Sequence, residues 1–467
     1  MSYDVVIIGS GGVVGLFIAY ELAHYRVRVL VIDKEVEPGF GVSKGHAGVI
    51  HVVQPPFNSL RSKLAVEGNR LYDGIARRLH VRIRRLNALL VAKNPAQLIA
   101  LPAVWLILNH VYGKRGFRIR ILGPRSLRRV EPNVSGLGAI EVEGYGIINS
   151  FELISQLYNF CRLNGIDFAL NTEVKDAKIL GDEVALITSR GGEYRAKYVV
   201  NAAGLYSADI ARLFGDEYKL EFGKGAMLVF WGGEQVRNIV APLQLIPNPK
   251  TKGGAIIPTV FGTTIWGGPS LSMSDRGDRS VNEDDIDVLN EKFSGLLRNR
   301  NFTPIKAYAG VRPIPEGDDF VITYSRSSKH VIHLIGIESP GLTSAPAIAR
   351  RVVEMLREAG VVLTPKDDVK EVDPMIMTRD IIEGGGSIND DQGEVICPCM
   401  GVTRADIREA IKRGATTLDG VVFRTGLGMG ICQGMCLGKA IKVISEELGI
   451  DPRKLTKLGD DSWLVTR

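Results

Sequence analysis

The chain opens with mostly apolar segments separated by short polar or glycine-rich breaks. Residues 3–8 and 28–32, each with one charged residue, have the length of buried strands, and between them apolar positions recur with helical spacing over 15–24. A strand, a helix and a second strand of this combined length form one βαβ layer of a parallel sheet. Similar patterns further along predict helices at 150–164, 207–214 and 345–359 and strands at 173–179, 183–189, 198–201 and 331–335.

Two intervening segments have a different pattern. They are richer in β-branched residues and in Gly/Pro turns, which predicts a mostly antiparallel sheet inserted twice into the first domain. Near residue 384 the chain has little periodicity and contains three consecutive glycines, so this part is interpreted as a linker. We therefore predict an α/β fold made of a discontinuous Rossmann-like domain (1–80, 146–215 and 311–362), an inserted antiparallel-sheet substrate domain (81–145 and 216–310), a linker (363–394) and a small α-helical domain (395–467).

Composition and charge narrow the functional class only slightly. The chain has 467 residues, of which 45% are hydrophobic and 24% charged, as is ordinary for a globular protein of two or three domains. Lys and Arg (58) outnumber Asp and Glu (52), but they are scattered without a five-residue basic block, so nucleic-acid binding is not predicted. The first strand has no charged leader before it, and the apolar run 100–108 is too short to span a bilayer. We expect a cytoplasmic protein, and contact with the inner face of a membrane or with a partner subunit stays open.

The turn between the first strand and the first helix is rich in glycine. Gly9, Gly11, Gly12 and Gly15 offer the bend, the close approach of backbone N–H groups to a pyrophosphate and the tight helix–strand packing of a dinucleotide-binding turn. Asp33 ends the second strand, where an acidic residue takes the ribose hydroxyls. The register departs by one residue from a strict GxGxxG, and an ordinary βα turn is the alternative interpretation.

Three later segments add motifs to this turn: Val199-Val-Asn-Ala-Ala-Gly204, Tyr308-Ala-Gly-Val-Arg-Pro313 and Gly336-Ile-Glu-Ser-Pro-Gly-Leu-Thr-Ser-Ala-Pro-Ala347. Together with the turn they resemble the FAD-dependent dehydrogenase and oxidase superfamily that includes D-amino-acid oxidase, and the match extends over nearly the whole chain. Within it, Ser43-Lys-Gly-His-Ala-Gly-Val-Ile-His51 and Ser59-Leu-Arg-Ser-Lys-Leu-Ala-Val-Glu-Gly-Asn-Arg70 are similar to the branch of L-2-hydroxyglutarate dehydrogenases and anaerobic glycerol-3-phosphate dehydrogenase large subunits.

The resemblance implies that one FAD is bound. The positive end of the helix after residues 339–343 then suits the negative charge that builds at the flavin N1–C2=O locus during reduction. The residues that the resemblance assigns to the cofactor are Gly9, Gly11, Gly12, Gly15, Asp33, Lys34, Ser43, Gly48, Val174, Ala203, Gly204, Gly310, Arg312, Gly341, Leu342 and Thr343.

Three residues are candidates for the chemistry. In the family the segment that holds His46 and His51 runs along the flavin, so either histidine is a candidate proton acceptor, with a structural role as the alternative for each. Arg312 lies in the motif whose arginine faces the substrate in the family, and a guanidinium pairs well with a carboxylate or a phosphate. The alternative for Arg312 is a structural salt bridge.

Four of the five cysteines lie near the end of the chain, at Cys397, Cys399, Cys432 and Cys436. In a cytoplasmic protein, closely spaced cysteines serve metal or redox chemistry more often than disulfides. A helix is predicted just after each pair, at 403–412 and 438–448. The arrangement resembles the bacterioferritin-associated-ferredoxin-like [2Fe–2S] domain that the anaerobic glycerol-3-phosphate dehydrogenase family carries. A structural zinc and an empty, redox-switching thiol set are the alternatives, and Cys161 is interpreted as a small buried hydrophobe.

These observations favour an FAD-dependent dehydrogenase of a small anionic hydroxyl substrate. By resemblance the substrate is glycerol 3-phosphate, and the electrons are expected to pass from FAD through the cluster to a quinone or a redox protein. The alternatives are an L-2-hydroxy acid such as 2-hydroxyglutarate, an amine or imino acid, and a non-catalytic FAD and iron–sulfur electron-transfer subunit.

Overall fold

A computed structural model describes residues 2–245, 253–299, 301–460 and 462–464. They form two large sheets with their helices, followed by a small, mainly helical unit. Parts of two predicted segments, the substrate domain and the C-terminal domain, fall on residues outside these ranges.

The elements have the following bounds. The strands are β1 (Ser2–Ile8), β2 (Val29–Ile32), β3 (Val49–Ile50), β4 (Ile83–Ala92), β5 (Ile119–Leu122), β6 (Gly138–Ile148), β7 (Asp167–Ala169), β8 (Val174–Leu180), β9 (Glu183–Thr188), β10 (Glu193–Asn201), β11 (Leu220–Trp231), β12 (Ile239–Pro242), β13 (Ala255–Pro258), β14 (Thr264–Gly267), β15 (Leu271–Met273), β16 (Thr303–Pro315), β17 (Val321–Tyr324), β18 (Val331–Ile335), β19 (Val395–Cys397) and β20 (Val402–Thr403). The α-helices are α1 (Val13–Leu22), α2 (Leu60–Arg78), α3 (Pro95–Tyr112), α4 (Pro124–Val130), α5 (Ser150–Leu163), α6 (Ser207–Arg212), α7 (Glu283–Phe293), α8 (Gly341–Glu358), α9 (Thr378–Glu383), α10 (Asp390–Gly393), α11 (Arg404–Lys412), α12 (Leu418–Thr425) and α13 (Leu437–Leu448).

The first sheet has the predicted Rossmann-like arrangement. Its parallel centre has the order β18-β10-β1-β2-β7, with β17 as an antiparallel edge. Val5 and Ile7 pack against α1, α5 and α8 on one face, while Val6 and Ile8 pack against β8, β9 and α6 on the other. Burial on both faces explains why the central strands are continuous apolar runs.

The second sheet has ten strands and is mostly antiparallel, as predicted. Its longest pair joins β11 to β16, from Leu220 opposite Pro315 to Trp231 opposite Thr303. β16 therefore continues in this sheet beyond the predicted boundary at 311. One pair, β12 with β4, is parallel.

Helix α3 lies within a segment for which the sequence pattern predicted strands. The Asn94 side chain caps it by accepting a hydrogen bond from the Gln97 N–H, and Pro95 occupies its first turn, where no donor is needed. The helix extends beyond the apolar run 100–108 because the flanking residues are uncharged. Among the described residues, one segment, Pro95–Arg115 (mean hydropathy 1.3), could cross a membrane by length and composition, a test that core helices and signal sequences also pass.

Helix α8 begins at Gly341, four residues before the predicted start at 345. Proline is common in the first turn of a helix, but Pro346 lies inside this one. Inside the helix, Pro346 has no N–H to donate to the Leu342 carbonyl. The Tyr72 hydroxyl of α2 donates to that carbonyl instead, so the early start is stabilised by a neighbouring helix.

The predicted linker, 363–394, packs against both of its neighbours. Val372 is buried in the core beneath the first sheet, whereas Met375 and Met377 are buried in the core of the C-terminal unit. Helices α9 and α10 also lie in this segment. The backbone of this segment is mostly irregular, and its apolar residues contact two different cores. Because they do not share one face of a helix or strand, the sequence shows no periodic pattern here.

The C-terminal unit docks on the first sheet through α12. The Phe423 ring lies 4.4 Å from the ring of Phe151 and 5.7 Å from that of Phe40, measured between centroids. Next to it, Arg424 forms a 2.9 Å ion pair with Glu37, and both side chains are almost fully buried (3% and 2% exposed).

A second ion pair joins the two units. Lys44 Nζ lies 2.7 Å from Asp419 Oδ2. Lys44 belongs to the short 3-10 helix Val42–Gly45, next to Ser43, whose hydroxyl accepts the Val13 N–H at the start of α1. The C-terminal unit therefore contacts the same loop that closes on the glycine turn.

We predict that Glu37→Gln weakens this docking strongly, because it leaves the Arg424 guanidinium buried without its counter-charge. The expected loss of docking free energy is about 3–5 kcal/mol. Calorimetry should show it as a lower thermal midpoint for release of the C-terminal unit, and limited proteolysis identifies the released unit. The exposed pair Arg357 and Glu354 is the control, and Glu354→Gln should cost less than about 1 kcal/mol. Equal effects of the two substitutions would contradict a structural role for the buried pair.

Candidate active site and cysteine centre

A cavity of ≈ 1070 Å³ is lined by residues of both sheets. The loops that follow the carboxyl ends of β1, β2 and β10 form part of its wall, and β16 and the first turn of α8 form another part. Ligands of open parallel sheets bind at this end of the strands. The cavity is therefore the candidate binding site.

The glycines in the turn after β1 have two different roles: some allow backbone segments to pack tightly, and one leaves space in the cavity. A Cβ on Gly9, whose φ is +113°, would lie 2.8 Å from the Ala202 carbonyl carbon. A Cβ on Gly15 would collide with the Gly9 carbonyl oxygen, so Gly15 serves the tight helix–strand packing and does not line the cavity. At Gly12, in contrast, a Cβ would meet no protein atom nearer than Ser43 Oγ at 3.9 Å. The space in front of Gly12 is thus open to a ligand.

Asp33 stabilises this turn. Its Oδ2 accepts the backbone N–H groups of Ser10 and Gly11, and its Oδ1 accepts that of Glu35 at 2.8 Å. Burial raises the pKa of the Asp33 carboxyl, and these three donors oppose that shift. The carboxylate that was predicted to take ribose hydroxyls therefore already binds the turn itself, while Glu35 and Lys34 line the cavity beside it.

Both candidate histidines line the cavity. The His51 backbone N–H donates to Thr343 Oγ1 at 3.0 Å, and its carbonyl accepts from Asn69 Nδ2 at 2.8 Å, so its position is fixed by α2 and α8. The His46 carbonyl accepts from the Tyr308 hydroxyl at 3.1 Å. Within the described part of the chain, His46 Nδ1 is enclosed and has no hydrogen-bond partner.

Burial lowers the pKa of His46 to about 4, and burial together with the charge of Arg312 lowers that of His51 to about 4. Both imidazoles are therefore neutral at neutral pH. A neutral imidazole can accept a proton or a hydrogen bond, which leaves both proton-acceptor hypotheses chemically reasonable.

Arg312 lies in the cavity wall on β16. Its Nη2 donates to the Gly268 carbonyl at 2.6 Å, and a Cβ on Gly225 or on Gly268 would lie 3.0 or 3.1 Å from that nitrogen. The two glycines thus make room for the guanidinium. Over the described ranges no carboxylate lies within ion-pair distance of Arg312. Burial lowers the pKa of its guanidinium, and the charge of Glu338, a carboxylate paired with Arg61, opposes that shift. The structural salt bridge that was its alternative role is absent there.

The first turn of α8 closes the cavity near His51. Gly341 and Leu342 line it, and Thr343 lies behind them with its side chain fully buried. Gly68 of α2 allows this approach because a Cβ there would collide with the Thr343 carbonyl. The N–H groups of a first helical turn have no intrahelical acceptor and favour negative charge.

The structure brings nearly all predicted site residues together. The following line the cavity: Gly9, Gly11, Gly12, Asp33, Lys34, Ser43, His46, Gly48, His51, Val174, Ala203, Gly204, Gly310, Arg312, Gly341 and Leu342. Gly15 and Thr343 support that wall from behind.

Several wall residues were not predicted. Gly225 and Gly268 house the Arg312 side chain, and the Trp-Gly-Gly sequence at 266–268 could have marked a close approach. Arg61 and Glu338 form a buried 2.7 Å ion pair in the wall. No sequence signal joins them, because they come from elements far apart in the chain.

The four C-terminal cysteines converge as free thiols. Cys397 Sγ lies 3.6 Å from Cys399 Sγ and 3.7 Å from Cys432 Sγ, and the sulfurs of Cys397, Cys432 and Cys436 all lie within 4.8 Å of one another. The Gly428 N–H donates to Cys397 Sγ at 3.4 Å, and a Cβ on Gly430 would lie 2.7 Å from Cys399 Sγ. A glycine loop thus wraps closely around four soft sulfur ligands, which suits an iron–sulfur cluster or zinc.

Both sites fit the cofactors that the motifs imply. The open space at Gly12, the unpartnered His46 Nδ1 and the helix terminus at Gly341 suit a dinucleotide with a polar ring system. The four converging thiols suit a cluster with four thiolate ligands.

Comparison with known proteins agrees with these sites. Residues 4–355 match the family described as FAD dependent oxidoreductase, and residues 395–446 match the BFD-like [2Fe-2S] binding domain. Glycerol 3-phosphate dehydrogenase from Caloramator mitchellensis is 30% identical, over 99% of this chain and 98% of that protein. L-2-hydroxyglutarate dehydrogenase from Escherichia coli is 24% identical, over 76% of this chain and 93% of its own length.

Among solved structures, the chain is similar to dithionite-reduced L-alpha-glycerophosphate oxidase from Mycoplasma pneumoniae with FAD bound. The TM-score is 0.72 at 26% sequence identity, with 79% of this chain and 97% of that chain covered. The predictions of FAD and of a [2Fe–2S] cluster are confirmed, which leaves zinc and an empty thiol set unsupported as alternatives. The chain belongs to the FAD-dependent oxidoreductase family and carries a C-terminal BFD-like [2Fe–2S] domain.

Proposed function

We propose that this protein is a glycerol-3-phosphate dehydrogenase that passes electrons from FAD through its [2Fe–2S] cluster to a quinone or a redox protein. The observation that carries the proposal is the Arg312 guanidinium, which faces the cavity near His51 without a carboxylate partner among the described residues. A buried cation of this kind needs an anion, and a phosphate supplies one. The Caloramator relative, which matches this chain from end to end, supports the same substrate.

The wall residues divide into a nucleotide end and a reaction end. We assign the turn from Gly9 to Gly12, with Ser43 behind it, to the pyrophosphate, and Val174 with Lys34 to the adenosine end. Gly341 and Leu342 provide the helix terminus beside the flavin, where Thr343 fixes the position of His51. Bound FAD supplies a two-electron acceptor for hydride from the substrate carbon.

The chain's own residues then perform three tasks. Arg312 holds the anionic end of the substrate and so orients the carbon that carries the hydroxyl. His51, neutral because of its low pKa, accepts the hydroxyl proton, and His46 is the second candidate for that task. The enclosing walls exclude water, which strengthens the pairing of Arg312 with its anion.

An L-2-hydroxy acid is the second candidate substrate. The observation in its favour is that L-2-hydroxyglutarate dehydrogenase from Escherichia coli is 24% identical to this chain over 93% of its own length. A guanidinium binds a carboxylate as readily as a phosphate, so Arg312 fits both substrates.

We predict that Gly12→Val abolishes FAD binding without unfolding the protein, because the valine side chain would fill the space assigned to the pyrophosphate. Gly12 has φ −118° and ψ 150°, which valine adopts readily. Gly123 is a matched control, since it also precedes a helix with extended backbone and has no atom within 4 Å of its Cβ position. Flavin absorbance per folded chain is the measurement. Full flavin occupancy in Gly12→Val would show that the turn is wrongly assigned.

We predict that Cys399→Ser removes or perturbs the paramagnetic signal of the reduced cluster, while substrate still bleaches the FAD absorbance. Serine keeps the size of the side chain but replaces the soft sulfur ligand with a hard oxygen. Cys161→Ala, at a buried position far from the other cysteines in sequence, should leave the signal unchanged. An unaltered signal in Cys399→Ser, or stoichiometric zinc without iron in the anaerobically purified protein, would contradict the ligand assignment.

We predict that Arg312→Ala lowers kcat/KM for the anionic substrate roughly ten- to a hundredfold, because a charge-assisted hydrogen bond contributes on the order of 1.5–3 kcal/mol. Arg312→Lys should recover part of the loss, since it keeps the charge but not the planar fork. Glycerol 3-phosphate, L-2-hydroxyglutarate and uncharged glycerol are compared, with FAD content checked in each variant. The preferred anion identifies the substrate class. An unchanged kcat/KM in flavin-loaded Arg312→Ala would remove the basis of the proposal.

A further inference from the structure

Helix α3 presents an apolar stripe to solvent. Ile99, Leu106 and Ile107 are 79%, 62% and 52% exposed, and Pro102 and Ala103 lie between them at helical spacing. We call these five residues the α3 stripe. The helix contains no Asp, Glu, Lys or Arg from Pro95 to Tyr112. Single exposed apolar residues are ordinary on a protein surface, whereas a continuous stripe along a whole helix marks a surface that contacts something.

The opposite side of α3 is fixed in the protein core. Leu101, Leu108 and Tyr112 are at most 3% exposed and pack against the second sheet. The Trp105 indole N–H donates to the Ile119 carbonyl at 2.9 Å, which ties the helix to β5. Crossing a bilayer would expose this core, although the length and composition of the helix would suffice. The helix can therefore lie in the plane of a membrane surface but cannot cross the bilayer.

The part of the sequence that contains α3 carries charge of one sign. Between Asp73 and Glu131 the chain has no acidic residue and thirteen Lys and Arg, more than the net charge of +6 of the whole chain. Lys93 precedes the helix, and Lys114 and Arg118 follow it. All three are exposed, and within the described ranges none has an acid at ion-pair distance. The following helix α4 adds three more exposed cations, Arg125, Arg128 and Arg129.

This charge distinguishes between two occupants of the stripe. A second copy of the chain, packed stripe to stripe, would bring cations against cations with too few acids nearby to compensate, since Glu143, which lies beside Arg118, already pairs with Arg120. The phosphates of anionic lipids would meet the same cations favourably, while the acyl boundary would accept the stripe. Charge complementarity therefore favours a membrane surface.

We propose that the α3 stripe inserts into the headgroup and acyl boundary of an anionic bilayer, with Lys93, Lys114 and Arg118 on lipid phosphates. The protein would then be held at the membrane by one in-plane helix. This inference goes beyond the proposed reaction and does not depend on the identity of the substrate. It does bear on the acceptor, because a quinone dissolved in the bilayer would be close at hand.

The test is co-sedimentation of the purified, flavin-loaded full-length protein with vesicles. Vesicles of phosphatidylcholine alone are compared with vesicles that contain about a third phosphatidylglycerol. We expect binding to the anionic vesicles that weakens as ionic strength rises. Lys114→Gln with Arg118→Gln should weaken it roughly 25-fold, or roughly fivefold per cation. Leu106→Glu should weaken it at least about tenfold.

Matched controls distinguish the stripe from general surface effects. Val362 is as exposed as Ile99 (79%), so Val362→Glu is compared with Ile99→Glu. Lys329→Gln with Lys370→Gln removes two exposed cations elsewhere. FAD content and turnover with a soluble dye acceptor should stay unchanged in all these variants, since none touches the cavity.

Three results would overturn the inference. The first is the absence of binding to anionic vesicles, and the second is equal weakening of binding by Ile99→Glu and Val362→Glu. The third is a stable dimer in lipid-free buffer that Leu106→Glu converts to a monomer, which would assign the stripe to a second copy of the chain. None of these results alters the kinetic test of Arg312, so this inference and the proposed reaction fail separately.

Discussion

The site depends on close contacts between backbone segments that only glycine permits. Gly15 packs on the Gly9 carbonyl, Gly68 packs on the Thr343 carbonyl, and the Cα of Gly310 lies where a Cβ on Gly45 would need to be. Each contact joins a different pair of elements: β1 with α1, α2 with α8, and the 42–45 loop with β16. A methyl group at any of these positions would separate two walls of the cavity, since backbone cannot yield as a flexible side chain does.

The enclosed cavity then sets the electrostatics of its walls. Burial lowers the pKa of both histidines, and the nearby Arg312 charge lowers that of His51 further. The same desolvating surroundings that keep the imidazoles neutral strengthen the attraction between Arg312 and an anion. Two neutral imidazoles and, within the described ranges, a guanidinium without an ion-pair partner thus face the same cavity.

Local features of the fold were predictable from sequence, and contacts between distant segments were not. The βαβ start, the glycine turn and the cysteine pairs are each encoded within a few neighbouring residues, and the structure or the comparisons confirm them. Helix α3 was missed because its apolar residues surround most of the helix and leave no clear amphipathic pattern. The start of α8 depends on Tyr72, which lies on another helix, and the surroundings of Arg312 depend on Gly225 of β11 and on Gly268, which follows β14. No window of sequence contains both members of such a pair.

The docking of the C-terminal unit makes the two parts of the protein depend on each other. Phe423 covers Phe40 and Phe151, while Glu37 and Lys44 of the flavin-binding part have their counter-charges, Arg424 and Asp419, on α12. Without the unit, these two aromatic rings would face solvent and the Glu37 carboxylate would lose its counter-charge. The iron–sulfur unit therefore also serves as a cover for an apolar surface of the flavin-binding part.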